Sequence, residues 1–290
     1  MTRWLITGGS GMLGRELAEL LITTPAPGRS QREVLALGRE ELDITDPDAL
    51  KSAVEGVDLV VNAAAWTDVD GAEGDEAGAT AVNGTAVRAL ASACADSGSV
   101  LLHPSTDYVF PGDATEPIPE SAPTGPLNAY GRGKLVGEQA VLEVLPERGY
   151  VVRTAWLYGK YGKNFVATIL NAAQNRDFLD VVDDQRGQPT WTRALSGQLI
   201  SLGEAALAGN APAGVYHGTC SGETTWYGLA RAAFELSGLD PDRVRPTTSD
   251  RFPRPAPRPS YSVLGHERWA AAGLEPMPDW REALAGFLGR

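Results

Sequence analysis

Residues 2–14 read TRWLITGGSGMLG, and this stretch decides the fold class. The apolar run Trp4-Leu5-Ile6 predicts a short buried strand. The leucines that follow it fall on one face of a helix: Leu13, Leu17, Leu20 and Leu21. A strand followed at once by an amphipathic helix is a βα unit, the repeating element of α/β proteins.

The βα pattern continues along the first half of the chain. Short apolar runs occur at residues 34–37, 57–61, 100–102 and 150–152, and the stretches between them are long enough to hold helices. Such alternation is typical of a parallel sheet covered by helices on both faces. The sequence therefore predicts an α/β fold with a Rossmann-type, doubly wound parallel sheet.

Three glycines, Gly8, Gly11 and Gly14, form a G-x-x-G-x-x-G pattern between the first strand and the first helix. Glycine allows a tight turn there and lets a pyrophosphate approach the backbone N–H groups at the helix N-terminus. The position of the pattern, between a strand and a helix, predicts a dinucleotide site.

The next segments predicted to face the dinucleotide also follow apolar runs. Asp43-Ile44 and Ala63-Ala64-Ala65 lie at expected carboxyl ends of strands, where small side chains let adenosine lie against the sheet edge. The second strand ends at Gly38-Arg39 rather than at an acidic residue. Because arginine suits a ribose 2′-phosphate, NADPH is favoured as cofactor, with NADH as the alternative.

The alternation of strands and helices becomes less regular after about residue 153, and more aromatic residues appear in expected loops. We therefore expect residues 1–152 to form the NAD(P)-binding domain, with part of residues 174–225 returning to it. Residues 153–173 and 226–290 would form a smaller C-terminal substrate-binding part. The proline-rich segment 251–259 must be extended, because its prolines are incompatible with a helix or a central strand.

The composition excludes some classes of partner. Lysine and arginine number 25 against 37 aspartates and glutamates, which gives a net charge of −12. Nucleic acids and anionic membranes require clusters of positive charge, so neither is expected as a partner. An anionic small-molecule substrate would need a local basic site on this acidic protein.

The cysteine count and the N-terminus bear on location. Cys94 and Cys220 are too few for a disulfide scaffold or a metal cluster, so both are expected to be reduced and structural. The first apolar run is too short for a signal peptide or a membrane span. We therefore expect a cytoplasmic location.

Tyr130 and Lys134 form a Y-x-x-x-K pattern, which places both side chains on one face of a helix. A free phenol has a pKa of about 10, and a nearby ammonium is expected to lower it, so that the pair can exchange a proton with a carbonyl oxygen. Ser105-Thr106 lies beyond an earlier apolar run, where a hydroxyl could hold that carbonyl beside the phenol. His103 is a rival acid, but its position before Pro104 favours a structural role.

Taken together, these motifs resemble the dTDP-4-dehydrorhamnose reductase family of extended short-chain dehydrogenases. The resemblance runs nearly from end to end. The motifs on which it rests are GGSGMLG, ELDITDP, VNAAAWTDVDGAE, STDYVFPGD, PLNAYGRGKLVGE, RTAWLYG, Asn164-Phe165, DDQRGQPT and RPSYSVL. What it implies is reduction of the 4-keto group of dTDP-4-dehydro-L-rhamnose to give dTDP-L-rhamnose.

The resemblance also implies roles for individual residues. Tyr130, Lys134 and Thr106 would be catalytic, and the first two would also meet the nicotinamide ribose. Gly11, Met12 and Leu13 would surround the pyrophosphate, and Asp43, Ile44 and the three alanines from Ala63 to Ala65 would line the adenosine side. Thr106, Asp107 and Trp156 would contact the sugar nucleotide. Arg258 would be the local cation for its diphosphate.

The chain departs from the family in one respect. Some members bind magnesium between subunits through glutamates, and Glu16 occupies one matching place. The second place holds Arg193, and no third glutamate is evident near the C-terminus. No metal is therefore expected, Glu16 is expected to be a solvated helix residue, and the protein would be a monomer or a homodimer without bridging magnesium.

Two other functions are compatible with the sequence. A 4-ketoreductase or a dihydrostreptose-type synthase acting on another dTDP-deoxysugar would use the same catalytic residues. A noncatalytic, cofactor-binding regulatory subunit is the alternative of another class. The presence of Thr106, Tyr130 and Lys134 argues against the subunit, which would be free to lose them.

Overall fold

The structure is a computed structural model that describes residues 1–24 and 32–290. The strands are β1 (Thr2–Thr7), β2 (Arg32–Leu37), β3 (Leu59–Asn62), β4 (Val100–Thr106), β5 (Gly149–Thr154), β6 (Leu157–Tyr158), β7 (Leu179–Val182), β8 (Arg186–Gly187), β9 (Thr190–Trp191), β10 (Gly214–His217), β11 (Thr224–Thr225) and β12 (Val244–Thr247). The α-helices are α1 (Met12–Thr23), α2 (Pro47–Val54), α3 (Val69–Gly74), α4 (Glu76–Thr80), α5 (Ala86–Ser97), α6 (Ala129–Val144), α7 (Phe165–Ala172), α8 (Thr192–Leu207), α9 (Trp226–Leu236) and α10 (Trp280–Phe287). None of the described helices is both long and apolar enough to cross a membrane.

A six-stranded sheet in the order β10-β5-β4-β3-β1-β2 forms the centre of the protein. Every neighbouring pair in it is parallel. Trp4 of β1, for example, lies between Val34 of β2 and Leu59 of β3. The predicted Rossmann-type sheet is confirmed, and β4 extends through Pro104 to Thr106, which pairs with Thr154.

The two faces of the sheet bury different side chains because successive residues of a strand point in opposite directions. Trp4 and Ile6 pack on the face covered by α1 and α8, in one apolar cluster with Leu17. Leu5 packs on the opposite face, in a cluster with Leu90 and residues of α2, α5 and α6. Helices on both faces make the fold doubly wound, as predicted.

The second half of the chain builds a smaller region from the short parallel pairs β6–β9 and β7–β12 and the antiparallel pair β8–β11. Helices α7, α9 and α10 supply its apolar clusters, in which Phe234 and Leu284 are fully buried. Helix α8, by contrast, packs on the central sheet, and β10 is an edge strand of that sheet. The exact division into two domains stays a prediction.

The proline-rich segment is extended, since residues 252–259 form no helix and pair with no sheet strand. Side chains hold its end in place: Asn128 Nδ2 donates to the carbonyl oxygen of Pro257 (3.0 Å), and Ser260 Oγ donates to that of Gly112 (3.0 Å). The prediction holds from residue 252 onward but not for Arg251, which is the last residue of the 3-10 turn Ser249–Arg251.

Buried side chains of the fold include both cysteines and one unexpected glutamate. Cys94 and Cys220 are free thiols, and burial raises their pKa values to about 12 and about 11. Glu16 was expected to be solvated, and this was wrong: it is 2% exposed, and its Oε1 accepts a hydrogen bond from Arg193 (3.2 Å). Because α8 packs directly on α1, the Glu16 side chain is covered by the helix that carries its partner.

Candidate active site

A cavity of about 900 Å³ opens at the carboxyl ends of the central strands. Its lining residues come from the glycine loop, the ends of β3, β4 and β5, helix α6 and the start of α9. Ligand sites in open α/β sheets occupy this edge, and the volume is in the range of small-molecule sites. All but one of the predicted site residues line this cavity; the exception is Arg258.

The glycine loop brings backbone, rather than side chains, to the cavity wall. Gly8 has a φ of +64°, and a Cβ there would lie 2.6 Å from the backbone N of Ala64. A Cβ on Gly14 would lie 2.4 Å from the carbonyl oxygen of Gly8. Helix α1 begins at Met12, and no side chain caps its first N–H groups. This cradle and the uncapped helix N-terminus fit the pyrophosphate of a dinucleotide.

The adenosine side of the cavity is lined by Arg39, Asp43, Ile44 and the alanines Ala63, Ala64 and Ala65. Hydrogen bonds from the Thr45 backbone and hydroxyl hold the pKa of Asp43 below its usual value. Glu41 turns away, because its Oε2 accepts a hydrogen bond from the backbone N of Gly38 (2.8 Å), and it does not line the cavity. Arg39 is therefore the charged residue that the end of β2 presents to the cavity.

Tyr130 and Lys134 both lie on α6 and line the cavity. The helix begins beside them because the Asn128 side chain accepts a hydrogen bond from the Gly131 backbone N (2.8 Å). A Cβ on Gly131 would lie 2.2 Å from the carbonyl oxygen of Tyr108, so glycine allows α6 to approach the segment after β4. Lys134 is 2% exposed, and its Nζ donates to the carbonyl oxygen of Pro104 (2.7 Å).

The electrostatics of this pair differ from the expectation. Burial, and then the charge of Asp107, raise the pKa of Tyr130 above its ordinary value, and only a hydrogen bond with Thr106 lowers it. Burial lowers the pKa of Lys134 to about 8. The expected lowering of the tyrosine pKa by a lysine ammonium is thus not found in the ligand-free chain. Tyr130 holds its proton, which suits an acid.

Polar side chains at the ends of β4 and β5 face the same region. Thr106 Oγ1 donates to Asp107 Oδ1 (3.0 Å), and burial raises the pKa of Asp107 to about 6. Three buried oxygen atoms of cavity-lining residues have no hydrogen-bond partner within the described chain: Ser105 Oγ, Asp107 Oδ2 and Thr154 Oγ1. Buried polar atoms are usually paired, so this cluster is suited to a polar ligand.

Trp156 forms an aromatic wall of the cavity together with Trp226. Their rings stack with centroids 3.7 Å apart and planes 10° apart. Trp156 has a φ of +48°, the left-handed conformation that non-glycine residues rarely adopt. A Cβ on Gly187 would lie 2.7 Å from the Trp156 ring, so glycine makes room for it. Strained backbone is often found at functional sites.

Several lining residues were not predicted from the sequence, among them Thr154, Lys163 and Trp226. Lys163 follows Gly162, and a Cβ added to Gly162 would lie 3.7 Å from the Met12 side chain. Lys163 therefore brings a positive charge near the glycine loop. Arg258, the predicted cation, instead pairs with Asp70 outside the cavity wall. Among the described residues, no cluster of histidine, cysteine, aspartate or glutamate could hold a metal ion.

Comparisons with known proteins agree with this geometry. The family model described as the RmlD substrate binding domain matches residues 2–290. A dTDP-4-dehydrorhamnose reductase of Streptomyces griseus is 58% identical over 284 residues, which cover 97% of this chain and 91% of that protein. A dTDP-4-keto-6-deoxy-D-glucose reductase of Streptomyces niveus is 49% identical, with 97% and 95% covered.

Among solved structures, dTDP-4-dehydrorhamnose reductase of Bacillus anthracis in complex with NADP superposes with a TM-score of 0.89. It is 34% identical, and the match covers 99% of both chains. The sheet topology, the glycine cradle and the tyrosine–lysine pair of α6 are thus accompanied by similarity over nearly the whole chain. The protein therefore belongs to the dTDP-4-dehydrorhamnose reductase family of extended short-chain dehydrogenases.

Proposed function

We propose that this protein is an NADPH-dependent reductase that converts dTDP-4-dehydro-L-rhamnose to dTDP-L-rhamnose. The observation that carries the proposal is the position of Tyr130: its phenol holds its proton, lines the cavity and is hydrogen bonded to Thr106. The glycine cradle opens into the same cavity. A proton donor and a dinucleotide cradle in one cavity are what reduction of a ketone requires.

The proposed reaction assigns one task to each residue. When bound in the glycine cradle, a reduced nicotinamide would supply the hydride that reduces the C4 carbon of the sugar. Tyr130 gives its phenolic proton to the C4 oxygen, so that the C–O double bond becomes a carbinol and the tyrosine becomes a phenolate. To hold the carbonyl oxygen beside the phenol, the Thr106 hydroxyl would donate to it instead of to Asp107. Lys134 would donate to the nicotinamide ribose.

The cofactor choice rests on Arg39. This arginine lines the cavity at the end of β2, while Glu41 is engaged with the Gly38 backbone and would not accept the ribose hydroxyls. A guanidinium can bind a 2′-phosphate through paired hydrogen bonds. NADPH is therefore the proposed cofactor, and NADH would be used less well.

The substrate side of the proposal rests on the residues around Trp156. The stacked indoles offer an apolar wall to a deoxysugar, and the unpaired oxygen atoms of Ser105, Asp107 and Thr154 offer hydrogen bonds to its hydroxyls. Arg258 stays the predicted partner of the diphosphate.

A cytoplasmic location stays a prediction, as does a monomer or a homodimer without bridging magnesium. The positive charge of Arg193 beside Glu16 would repel a metal ion at that place.

The second candidate is reduction of another dTDP-4-keto-deoxysugar, which is favoured by the similarity to the Streptomyces niveus enzyme. Both reactions would use Tyr130, Lys134 and Thr106. The test is to follow NADPH oxidation by the wild-type protein with dTDP-4-dehydro-L-rhamnose and with dTDP-4-keto-6-deoxy-D-glucose. The proposal expects the higher kcat/KM with the first ketone, whereas a higher value with the second would replace it by the alternative.

A further inference from the structure

His103 is a fully buried histidine of β4 to which the proposed reaction gives no task. Its Nε2 lies 3.3 Å from Nζ of Lys134, and its Nδ1 lies 3.1 Å from Nδ2 of Asn62. Helix α6 can approach this closely because residue 137 is glycine: a Cβ there would lie 2.2 Å from the carbonyl oxygen of Asn83 and 3.3 Å from His103 Nε2. The histidine is thus in direct contact with one member of the proposed reacting pair.

A chain of hydrogen bonds from Thr7 through Asn62 determines which amide atom of Asn62 faces His103. The Thr7 hydroxyl lies 2.6 Å from Asn62 Oδ1, and it also accepts a long hydrogen bond from the backbone N of Ala64 (3.4 Å). A separation of 2.6 Å suits an O–H···O bond and is shorter than the usual N–H···O range. The amide oxygen of Asn62 therefore faces Thr7, and its NH₂ group faces His103.

This orientation fixes the proton of the imidazole. The NH₂ group of Asn62 can only donate, so Nδ1 of His103 must accept. Burial of the ring is the main cause that holds the pKa of His103 well below its usual range, so the ring carries a single proton. That proton is consequently on Nε2, and the N–H bond points at Nζ of Lys134.

An ammonium and an N–H donor that face each other repel, whereas the lone pair of a neutral amine can accept the same hydrogen bond. We propose that His103 is a positioning residue for Lys134: it presents a fixed Nε2–H donor to Nζ and thereby favours the neutral amine over the ammonium. The chain from Ala64 through Thr7 and Asn62 prevents the imidazole from reversing its tautomer. Nζ can still donate to the Pro104 carbonyl while it accepts from His103.

The charged groups around Lys134 agree with this inference. Burial lowers the pKa of Lys134 to about 8, even though the charge of Glu138, one helical turn further along α6, acts in the opposite direction. Glu138 is itself engaged, since its Oε2 lies 2.7 Å from Nη2 of Arg153 in a buried ion pair. Tyr130, the other ionisable neighbour on the same helix face, holds its proton and adds no charge.

The inference rests on the proposed function only in treating Tyr130 and Lys134 as a reacting pair. A lysine that exchanges its proton near neutral pH can return a proton to the Tyr130 phenolate after each reduction, and can then take one from solvent in the cavity. The tautomer of His103 and the titration of Lys134 can both be measured without cofactor or substrate. A failure of this inference is therefore distinguishable from a failure of the proposed function.

The first test is ¹⁵N NMR of histidine-labelled, ligand-free protein. The chain contains three histidines, so the signals are assigned by the loss of one set in His103→Gln. The inference predicts that His103 carries its proton on Nε2. A proton on Nδ1 in the wild-type protein would overturn the inference. The measurement is made on the wild type, and His103→Gln is needed only to assign the signals.

The second test reverses the hydrogen-bond chain. Asn62→Asp replaces the donor with a carboxylate that can only accept, so the imidazole proton should move to Nδ1 and Nε2 should accept from the Lys134 ammonium. Thr7→Val frees the Asn62 amide to turn without adding charge. Because the added carboxylate raises the pKa of a nearby lysine by its charge alone, Asn62→Asp is read by the position of the imidazole proton. Thr7→Val adds no charge and should move the Lys134 titration to higher pH, followed by ¹³C NMR of ε-labelled lysine; the chain has lysine only at positions 51, 134, 160 and 163.

Thr192→Val is the matched control, because Thr192 is also fully buried but its hydroxyl has no partner within the described chain. It should leave the His103 tautomer and the Lys134 titration unchanged. An unmoved Lys134 titration in Thr7→Val, or an imidazole proton that stays on Nε2 in Asn62→Asp, would overturn the inference. If either of these variants fails to fold, the other variant and the wild-type tautomer still decide between the two outcomes.

Discussion

The guanidinium of Arg258 is hydrogen bonded to the carboxylate of Asp70, and this contact holds the proline-rich segment against α3. The backbone N of Ala256 donates to the same carboxylate (3.2 Å). The hydrogen bond from Arg258 is the main cause that lowers the pKa of Asp70. A sugar nucleotide that uses Arg258 must therefore compete with Asp70 for this guanidinium.

Replacing the arginine tests its predicted role. Arg258→Ala should raise KM for the dTDP-sugar by about tenfold or more, because a hydrogen bond to a charged group contributes about 1.5–3 kcal/mol. KM for NADPH should stay unchanged. Arg254→Ala is the control, since Arg254 belongs to the same segment and lies 3.9 Å from Asp70. Equal effects of the two substitutions in steady-state kinetics would contradict a specific contact between Arg258 and the diphosphate.

Arg39 is predicted to set the preference for NADPH. Arg39→Ala should lower kcat/KM for NADPH by about tenfold or more and leave that for NADH nearly unchanged, because only NADPH carries the 2′-phosphate. Steady-state rates with both cofactors measure the ratio. Arg88→Ala is the control, because Arg88 is paired with Glu143 at the surface of α5 and does not line the cavity. A parallel loss with both cofactors would show that Arg39 does not read the phosphate.

Two helical glycines should respond in opposite ways to alanine. Gly14→Ala places a Cβ 2.4 Å from the Gly8 carbonyl oxygen, so it should lower the melting temperature and abolish NADPH binding. Gly197→Ala meets no atom within 4 Å and should stabilise the protein by up to about 1 kcal/mol, because alanine has the higher helix propensity. Thermal denaturation and cofactor titration check both. Full NADPH affinity in Gly14→Ala would contradict the proposed cradle.

Asp107 should make stability depend on pH. Its pKa is about 6 in the folded chain and 3.8 as the ordinary value, so the unfolded chain loses this proton first as the pH rises. The free energy of unfolding therefore falls as the pH rises from about 4 to about 6. Above pH 6 the decrease stays constant at about 3 kcal/mol. Asp107→Asn should raise the melting temperature at pH 8 and have little effect at pH 3.5.

The control for this effect is Asp113→Asn, because Asp113 is exposed and lies near the same loop. Its substitution should change the free energy of unfolding by less than about 0.5 kcal/mol at either pH. An Asp107→Asn protein that is no more stable than wild type at pH 8 would show that burial of this carboxylate costs little.

The sequence predicts those parts of the site that lie on the regular βα framework. Gly8, Tyr130 and Lys134 could be placed because the carboxyl ends of parallel strands meet at one edge of the sheet, so local spacing determines their position. The strands of the central sheet, and the helices that cover its two faces, follow from the pattern of apolar residues.

Residues that reach the cavity from distant loops could not be predicted in this way. Lys163 and Trp226 arrive there through packing of the second half of the chain, and no local pattern marks them. Glu16 is a charged residue of an amphipathic helix and would be expected at its solvent face. In the structure α8 covers it and supplies its partner Arg193. The electrostatic state of Tyr130 was also out of reach, because it depends on how deeply the folded chain buries the phenol and on the nearby charge of Asp107, both of which raise its pKa.

The proton of Tyr130 is the centre of the account, and one comparison tests it most directly. Oxidation of NADPH is followed with dTDP-4-dehydro-L-rhamnose for the wild type and for Tyr130→Phe, while NADPH binding is measured separately by fluorescence. The account predicts turnover by the wild type, a kcat about 10²–10⁴-fold lower in the variant, and retained NADPH binding. Undiminished turnover by Tyr130→Phe would contradict it.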